Sequence, residues 1–260
     1  MQELIKLNII QLSLAYLFPL LLFVILKKRG LKREWELLLA TFRMTVQLVL
    51  AGYILVYIFA KATLGLTLLS FFIMEIFAVL TVIRKFQKDQ MPKGMKRTVA
   101  FAVFTGTFLS LIYFVFVVIG VQPWYEPRYL IPLAGMIVGN SMTGVALALR
   151  LLLDGMKKNR VVVEEILILG GSPKEAAKEV VNSAFEAAIM PTITSMMSAG
   201  IVILPGMMTG QILAGASPLV AISYQLAIML AILGSVALSV IIMLSIGFRL
   251  YFNSEAQLKK

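Results

Sequence analysis

From Pro218 to Phe248 the chain carries no charged side chain, over a length that matches the width of a lipid bilayer. About 20 apolar residues in helical form cross the hydrocarbon core. Because lipid offers nothing to hydrogen-bond a bare backbone, such a run must satisfy its own amides as a helix or as part of a closed barrel. Unbroken apolar runs, rather than short alternating ones, select the helix. Similar runs occupy residues 5–26, 38–60, 64–83, 99–121, 129–152, 192–213 and 218–248, which gives seven expected spans. A chain that is 60% hydrophobic and 14% charged, with a mean hydropathy of +0.93, falls well outside soluble domains, which are roughly 25% charged. The expectation is an all-α polytopic membrane protein with one transmembrane domain over residues 1–260. The first run leads straight into Lys27-Lys28-Arg29 without a cleavage site, so it is read as a retained helix.

The net charge of +11 does not point to nucleic acid, because the cations collect between spans. Lys27, Lys28, Arg29, Lys32 and Arg33 follow the first span, and Arg84, Lys85, Lys88, Lys93, Lys96 and Arg97 follow the third. Arg150, Lys157, Lys158, Arg160, Lys174 and Lys178 accompany the end of the fifth, and Arg249, Lys259 and Lys260 close the chain. The alternate connections hold only Lys6, Lys61 and Arg128. Positive charge stays inside, so the N-terminus is expected outside and the C-terminus in the cytoplasm, in a cell (inner) membrane.

The chain has no cysteine and no histidine, which removes thiolate and imidazole metal sites, the cysteine nucleophile and the histidine base. Its two aspartates, Asp89 and Asp154, both lie in basic loops, so an intramembrane aspartyl protease is excluded. No Gly-Lys-Ser/Thr phosphate loop is present. The chain is read as no enzyme, with no catalytic residues and no cofactor of its own.

Residues 154–191 form the one sizeable segment expected outside the membrane, as two helices interrupted by Gly170-Gly171-Ser172-Pro173. Ser172 with Glu175 makes a capping box, and Pro173 suits the first helical turn. Ala176, Val180, Ala184 and Ala187 then recur at helical spacing as a small-residue side.

The run from Val163 through Glu164, Glu165, Gly170, Gly171, Ser172, Pro173, Lys174 and Glu175 to Ala177 resembles the cytoplasmic coupling loop of ABC transporter permeases. Its literal Glu-Ala-Ala follows the glycines, whereas the family pattern places it before them. Over nearly the whole chain, Pro132 to Met142, Leu169 to Pro173, and Leu204 to Gly210 with Ala214-Gly215 resemble the signature runs of the FetB family. That family comprises membrane subunits of ABC-type systems linked to iron export, with plant relatives linked to aluminium tolerance. The resemblance implies a permease that pairs with a second copy of itself and with a separate cytoplasmic ATPase carrying ATP and magnesium. It also implies a metal cation as substrate and an ATPase-coupling role for the loop.

Glu75 is the one acid inside an expected span, where ionisation against lipid is costly, so it should face protein or water. It could be a cation-binding carboxylate or a structural partner of Arg43 and Gln47, which lie one turn apart on the second span. Pro132, Gly135, Gly139 and Asn140 in the fifth span, and Pro205, Gly206, Gly210 and Gln211 in the sixth, suggest helix breaks or tight packing. Asn140 and Gln211 could touch substrate or tie helices together. Met207 and Met208 offer thioethers suited to soft ions, or ordinary packing. Arg43, Gln47, Glu75, Asn140, Met207, Met208 and Gln211 are thus the substrate-path candidates, with Glu75, Asn140 and Met207 as candidate metal ligands. Rival readings are an importer permease and a membrane scaffold that transports nothing.

Overall fold

The computed structural model describes residues 8–31, 33–87, 89 and 91–259. The loop cations Lys6, Lys32, Lys88 and Lys260, and the first residues of the first expected span, lie outside them.

The described residues form helices with no named strand, as backbone in lipid requires. In chain order these are α1 (Ile9–Ala15), α2 (Leu17–Lys28), α3 (Glu34–Lys61), α4 (Leu64–Lys85) and α5 (Met95–Tyr113), the last running into a π turn, Phe114–Ile119. Then come α6 (Pro127–Lys158), α7 (Arg160–Ile168), α8 (Pro173–Ala176), α9 (Lys178–Ser198), α10 (Gly206–Leu213) and α11 (Pro218–Gly247). Six stretches among them are long and apolar enough to cross a membrane: Ile9–Lys28, Glu34–Lys61, Leu64–Lys85, Met95–Ile119, Pro127–Lys158 and Pro218–Tyr251.

The expected sixth span, 192–213, is not a continuous helix. Thr192 lies inside α9, which passes through Pro191 without ending, so the segment expected to stop at residue 191 does not stop there. The chain instead leaves helical backbone between α9 and α10. Ala199 leaves the helix in extended backbone, Gly200 takes φ +86°, and its amide donates to the Ile203 carbonyl at 2.9 Å. Pro205, with no amide to give, sits directly before α10. Pro132, by contrast, breaks nothing, since the bond it withholds falls near the start of α6 and the helix continues to Lys158.

The chain divides into two compact units: Met1–Ala62 with Leu213–Gly215, and Thr63–Ile212 with Ala216–Lys260. In the first, α2 and α3 are joined where the Tyr16 hydroxyl meets Thr45 Oγ1 at 2.6 Å.

The second unit is built on α4, α5, α6, α9 and α11. A Cβ on Gly247 would lie 3.3 Å from Leu152 Cδ2 and 3.4 Å from Met95 Sδ, so the C-terminal ends of α11 and α6 meet the N-terminal end of α5. A Cβ on Gly155 would lie 2.6 Å from Val180 Cγ1, and one on Gly144 would lie 3.6 Å from the Ala188 carbonyl oxygen. Pairing early α9 with late α6 in this way makes the two helices antiparallel. Their seam uses Val180, Ala184 and Ala188, with Ala176 of α8 also buried before them; Ala188 takes the place expected of Ala187, which is only partly buried.

The expected Gly135/Gly139 and Gly206/Gly210 pairs make no tight contact among the described residues. Gly139, Gly206 and Gly210 have nothing within 4 Å of an added Cβ, and Gly135 has only Met74 Cε at 4.0 Å. The close approaches fall at Gly106, Gly144 and Gly155 instead. Around Gly106 a polar seam joins three helices: the Ser141 and Ser235 hydroxyls are 2.8 Å apart, and Ser235 Oγ donates to the Gly106 carbonyl at 3.5 Å.

Candidate functional site

Glu75 lies in the middle of α4 and is buried, with 3% exposure, so it faces protein as its cost in lipid requires. Thr107 of α5 donates its hydroxyl to Glu75 Oε1. The same hydroxyl is 2.8 Å from the Val103 carbonyl, so its single proton is contested between carboxylate and helix. Glu75 Oε2 is enclosed with no hydrogen-bond partner among the described residues. One turn away, Phe72 stacks on Phe104 and Phe104 on Phe108, with centroids 6.3 and 5.3 Å apart, closing α4 on α5 beside the carboxylate. Thr107 was not among the expected residues. Its signal in the sequence is the polar Thr105-Gly106-Thr107 set within an apolar run.

Arg43 and Gln47 lie one turn apart on α3, both exposed. Asn140 is exposed on α6, and its Nδ2 donates to the Met136 carbonyl at 2.8 Å. Met208 is buried, Met207 is partly buried against the core, and Gln211 holds an enclosed Oε1 with no partner among the described residues. Glu75 turns toward α5 while Asn140 is exposed on α6, so the two do not share one coordination shell. Among the described residues no three acidic side chains come together around a common point.

The hairpin of α7, α8 and α9 carries the remaining expected residues. Ser172 Oγ accepts from the Glu175 amide, and Glu175 Oε2 accepts from the Ser172 amide at 2.8 Å and the Ser172 hydroxyl at 2.7 Å. The expected capping box is therefore present, with Pro173 in the first turn. The Ser172 hydroxyl and amide, aided by Lys178, hold the Glu175 carboxyl below its ordinary value. Gly170 adopts φ +88°, and a Cβ on Gly171 would stand 2.8 Å from the Ile166 carbonyl oxygen, so both positions need glycine. Glu164 pairs with Arg160 at 2.8 Å, and Glu165 and Lys174 are exposed. Between α7 and α9 lies a cleft of about 390 Å³ lined by Asn159, Val163, Glu175, Glu179 and Glu186 among others. Ile168 and Leu169 lie within the expected coupling run but outside its named coupling residues, and they close α7 with 82% and 86% exposure.

Residues 9–252 match the family described as "Uncharacterised protein family (UPF0014)". The chain is 36% identical to the UPF0014 membrane protein slr1647 of Synechocystis, over 90% of each chain. It is 32% identical to the probable iron export permease protein FetB of Escherichia coli, over 95% of this chain and 93% of that one. It is 33% identical to the protein ALUMINUM SENSITIVE 3 of Arabidopsis thaliana, over 94% of this chain and 88% of that one. No solved structure matches the chain. With membrane helices in the structure and relatives named as membrane proteins over nearly its full length, the chain is a multi-pass membrane protein that belongs to the UPF0014 family.

Proposed function

We propose that this chain is the permease subunit of an ABC-type metal exporter, most simply of iron, driven by ATP and magnesium on a separate cytoplasmic ATPase and completed by a second copy of itself. The observation that carries the reading is the kinship over 95% of the chain with a protein named as a probable iron export permease. The chain brings no phosphate-binding loop, so in this reading the energy arrives from a partner. The Ile168–Glu175 turn, apolar at Ile168 and Leu169 and stiffened by the capping box, supports a docking role at the cytoplasmic hairpin.

In this reading α9 makes the remaining crossing, giving seven with the N-terminus outside. It runs antiparallel to α6, with Val180 beside Gly155 and Ala188 beside Gly144, and its 21 residues extend about 30 Å. The test is reconstitution with the ATPase in vesicles and measurement of iron(II) movement in each direction. ATP-dependent movement away from the ATPase side is expected. Movement toward that side supports an importer, and no movement of iron or competing metals removes the transport reading.

A further inference from the structure

Asn140 stands thirteen residues from the start of α6 and eighteen from its end, about 20 and 27 Å along the axis. At that depth an exposed side chain meets hydrocarbon, protein or water. The exposed stripe of α6 includes Pro132, Asn140 and Thr143, with Met136 and Gly139 partly exposed beside them. On its antiparallel neighbour α9, Glu186, Thr194 and Ser195 are exposed. Lipid is a poor match for such a surface, because the outward oxygen lone pairs and the Glu186 carboxylate would find no donor there.

The hydrogen bonds make the surface more specific. Asn140 Nδ2 donates to the Met136 carbonyl at 2.8 Å, Thr143 Oγ1 to Gly139 at 3.0 Å, and Ser195 Oγ to Pro191 at 2.9 Å. The Thr143 and Ser195 hydroxyls each spend their one proton on their own helix, while Asn140 keeps a second N–H. What remains outward is oxygen lone pairs, together with the Glu186 carboxylate nearer the start of α9. A face in which acceptors outnumber donors pairs incompletely with itself across a two-fold axis, since a second copy would bring the same excess of acceptors. Water and cations supply what it lacks, and oxygen donors of this kind prefer hard cations over the soft ions that thioethers select.

We propose that the exposed α6–α9 face is the water-lined wall of a path for a hydrated, oxygen-preferring cation. This deepens the exporter reading and rests on it for the identity of the cargo, while the water-lined character stands on the hydrogen bonds alone.

Asn140→Cys, Thr143→Cys and Ser195→Cys, made singly in this thiol-free chain and reconstituted with the ATPase, test it with water-soluble methanethiosulfonates. The reference is Leu230→Cys on α11, an apolar position with 61% exposure. The cationic reagent is expected to react at the three sites about a hundredfold faster than at residue 230, since a charged reagent is excluded from lipid. It is also expected to outpace the anionic reagent, and millimolar Mn²⁺ should slow it. Rates equal to that of Leu230→Cys would mean a lipid-facing surface and overturn the proposal. Disulfide cross-linking between two copies at residue 140 without labelling would mean a dry interface and overturn it as well. Equal rates for the two reagents would reject the cation preference. None of these readouts requires metal to move, so the face and the exporter reading can fail separately.

Discussion

Gly106 of α5 packs directly on the backbone of Ser239 of α11: a Cβ at position 106 would stand 2.7 Å from the Ser239 nitrogen and 2.8 Å from its Cα. No rotamer change relieves a clash with backbone. Gly106→Ala is therefore expected to force α5 and α11 apart and to cost about 1–3 kcal/mol, the usual penalty for overpacking. Gly234→Ala on α11 meets nothing within 4 Å and should be neutral, or favourable by about 0.5–1 kcal/mol through helix propensity. Thermal unfolding of both variants in detergent measures the difference, and equal melting would refute the close crossing.

Thr107→Val removes the one donor that Glu75 has among the described residues and leaves a buried carboxylate without it. A loss of about 1–3 kcal/mol is expected, while Thr107→Ser, which keeps the hydroxyl, should retain most of the stability. Glu75→Gln separates structure from transport, because it preserves shape but removes the charge. In the exporter reading, normal abundance with reduced metal movement is expected, measured in the same vesicles.

Orientation is read from single cysteines at Asn8, Asn159 and Gln257, all exposed. An impermeant reagent outside intact cells should label only residue 8. Labelling of residue 159 from outside would invert the charge-based topology and remove the α7–α9 hairpin from any cytoplasmic partner.

Ile168→Ser with Leu169→Ser removes the most exposed apolar pair of the hairpin without touching the bundle. ATPase copurification is expected to fall while the melting temperature of the permease stays unchanged. Gly171 is the wrong place for this test, because any side chain there meets the Ile166 carbonyl and would unfold the turn.

Acid should loosen the start of α8. Glu175 titrates below its ordinary 4.5 because Ser172 bonds the charged form. Its contribution is therefore complete above that ordinary value and is lost as pH falls through the lowered folded value. Hydrogen exchange at the Ser172 amide, corrected for intrinsic rate, should quicken across that acid window and lose the dependence in Glu175→Gln. Ser172→Ala should cost about 1 kcal/mol of helix-start stability at neutral pH.

How far residues alone predict this molecule depends on whether the determinant is local. Five expected spans and the last one coincide closely with helices because lipid leaves a long apolar run little alternative. The Ser172–Glu175 box was equally legible, as its two members are three residues apart. The sixth expected run fails as a continuous helix because its start belongs to α9, where Asn182, Glu186, Thr194 and Ser195 stand among apolar residues, and hydropathy does not report the break at Ala199 and Gly200. Glycine spacing misled for a related reason. The Gly135 and Gly139 pair resembles a packing motif, yet what decides contact is the neighbour, and Gly106 and Gly144 met their neighbours with no motif at all. Glu75 was singled out by its charge, but the polar set around Thr107 gains its meaning only once α5 is placed beside α4.

The Ser141, Ser235 and Gly106 seam has a mechanical consequence. Its hydroxyl pair and carbonyl bond require α11 to keep one height and one rotation against both α5 and α6, so sliding α11 by a single residue would swing Ser235 by about 100° and part all three. These helices behave as a keyed shaft that neither turns nor slips. In the exporter reading, a stroke that carries cargo would therefore be delivered by parts outside that trio, such as the non-helical break at Ala199 and Gly200 between α9 and α10.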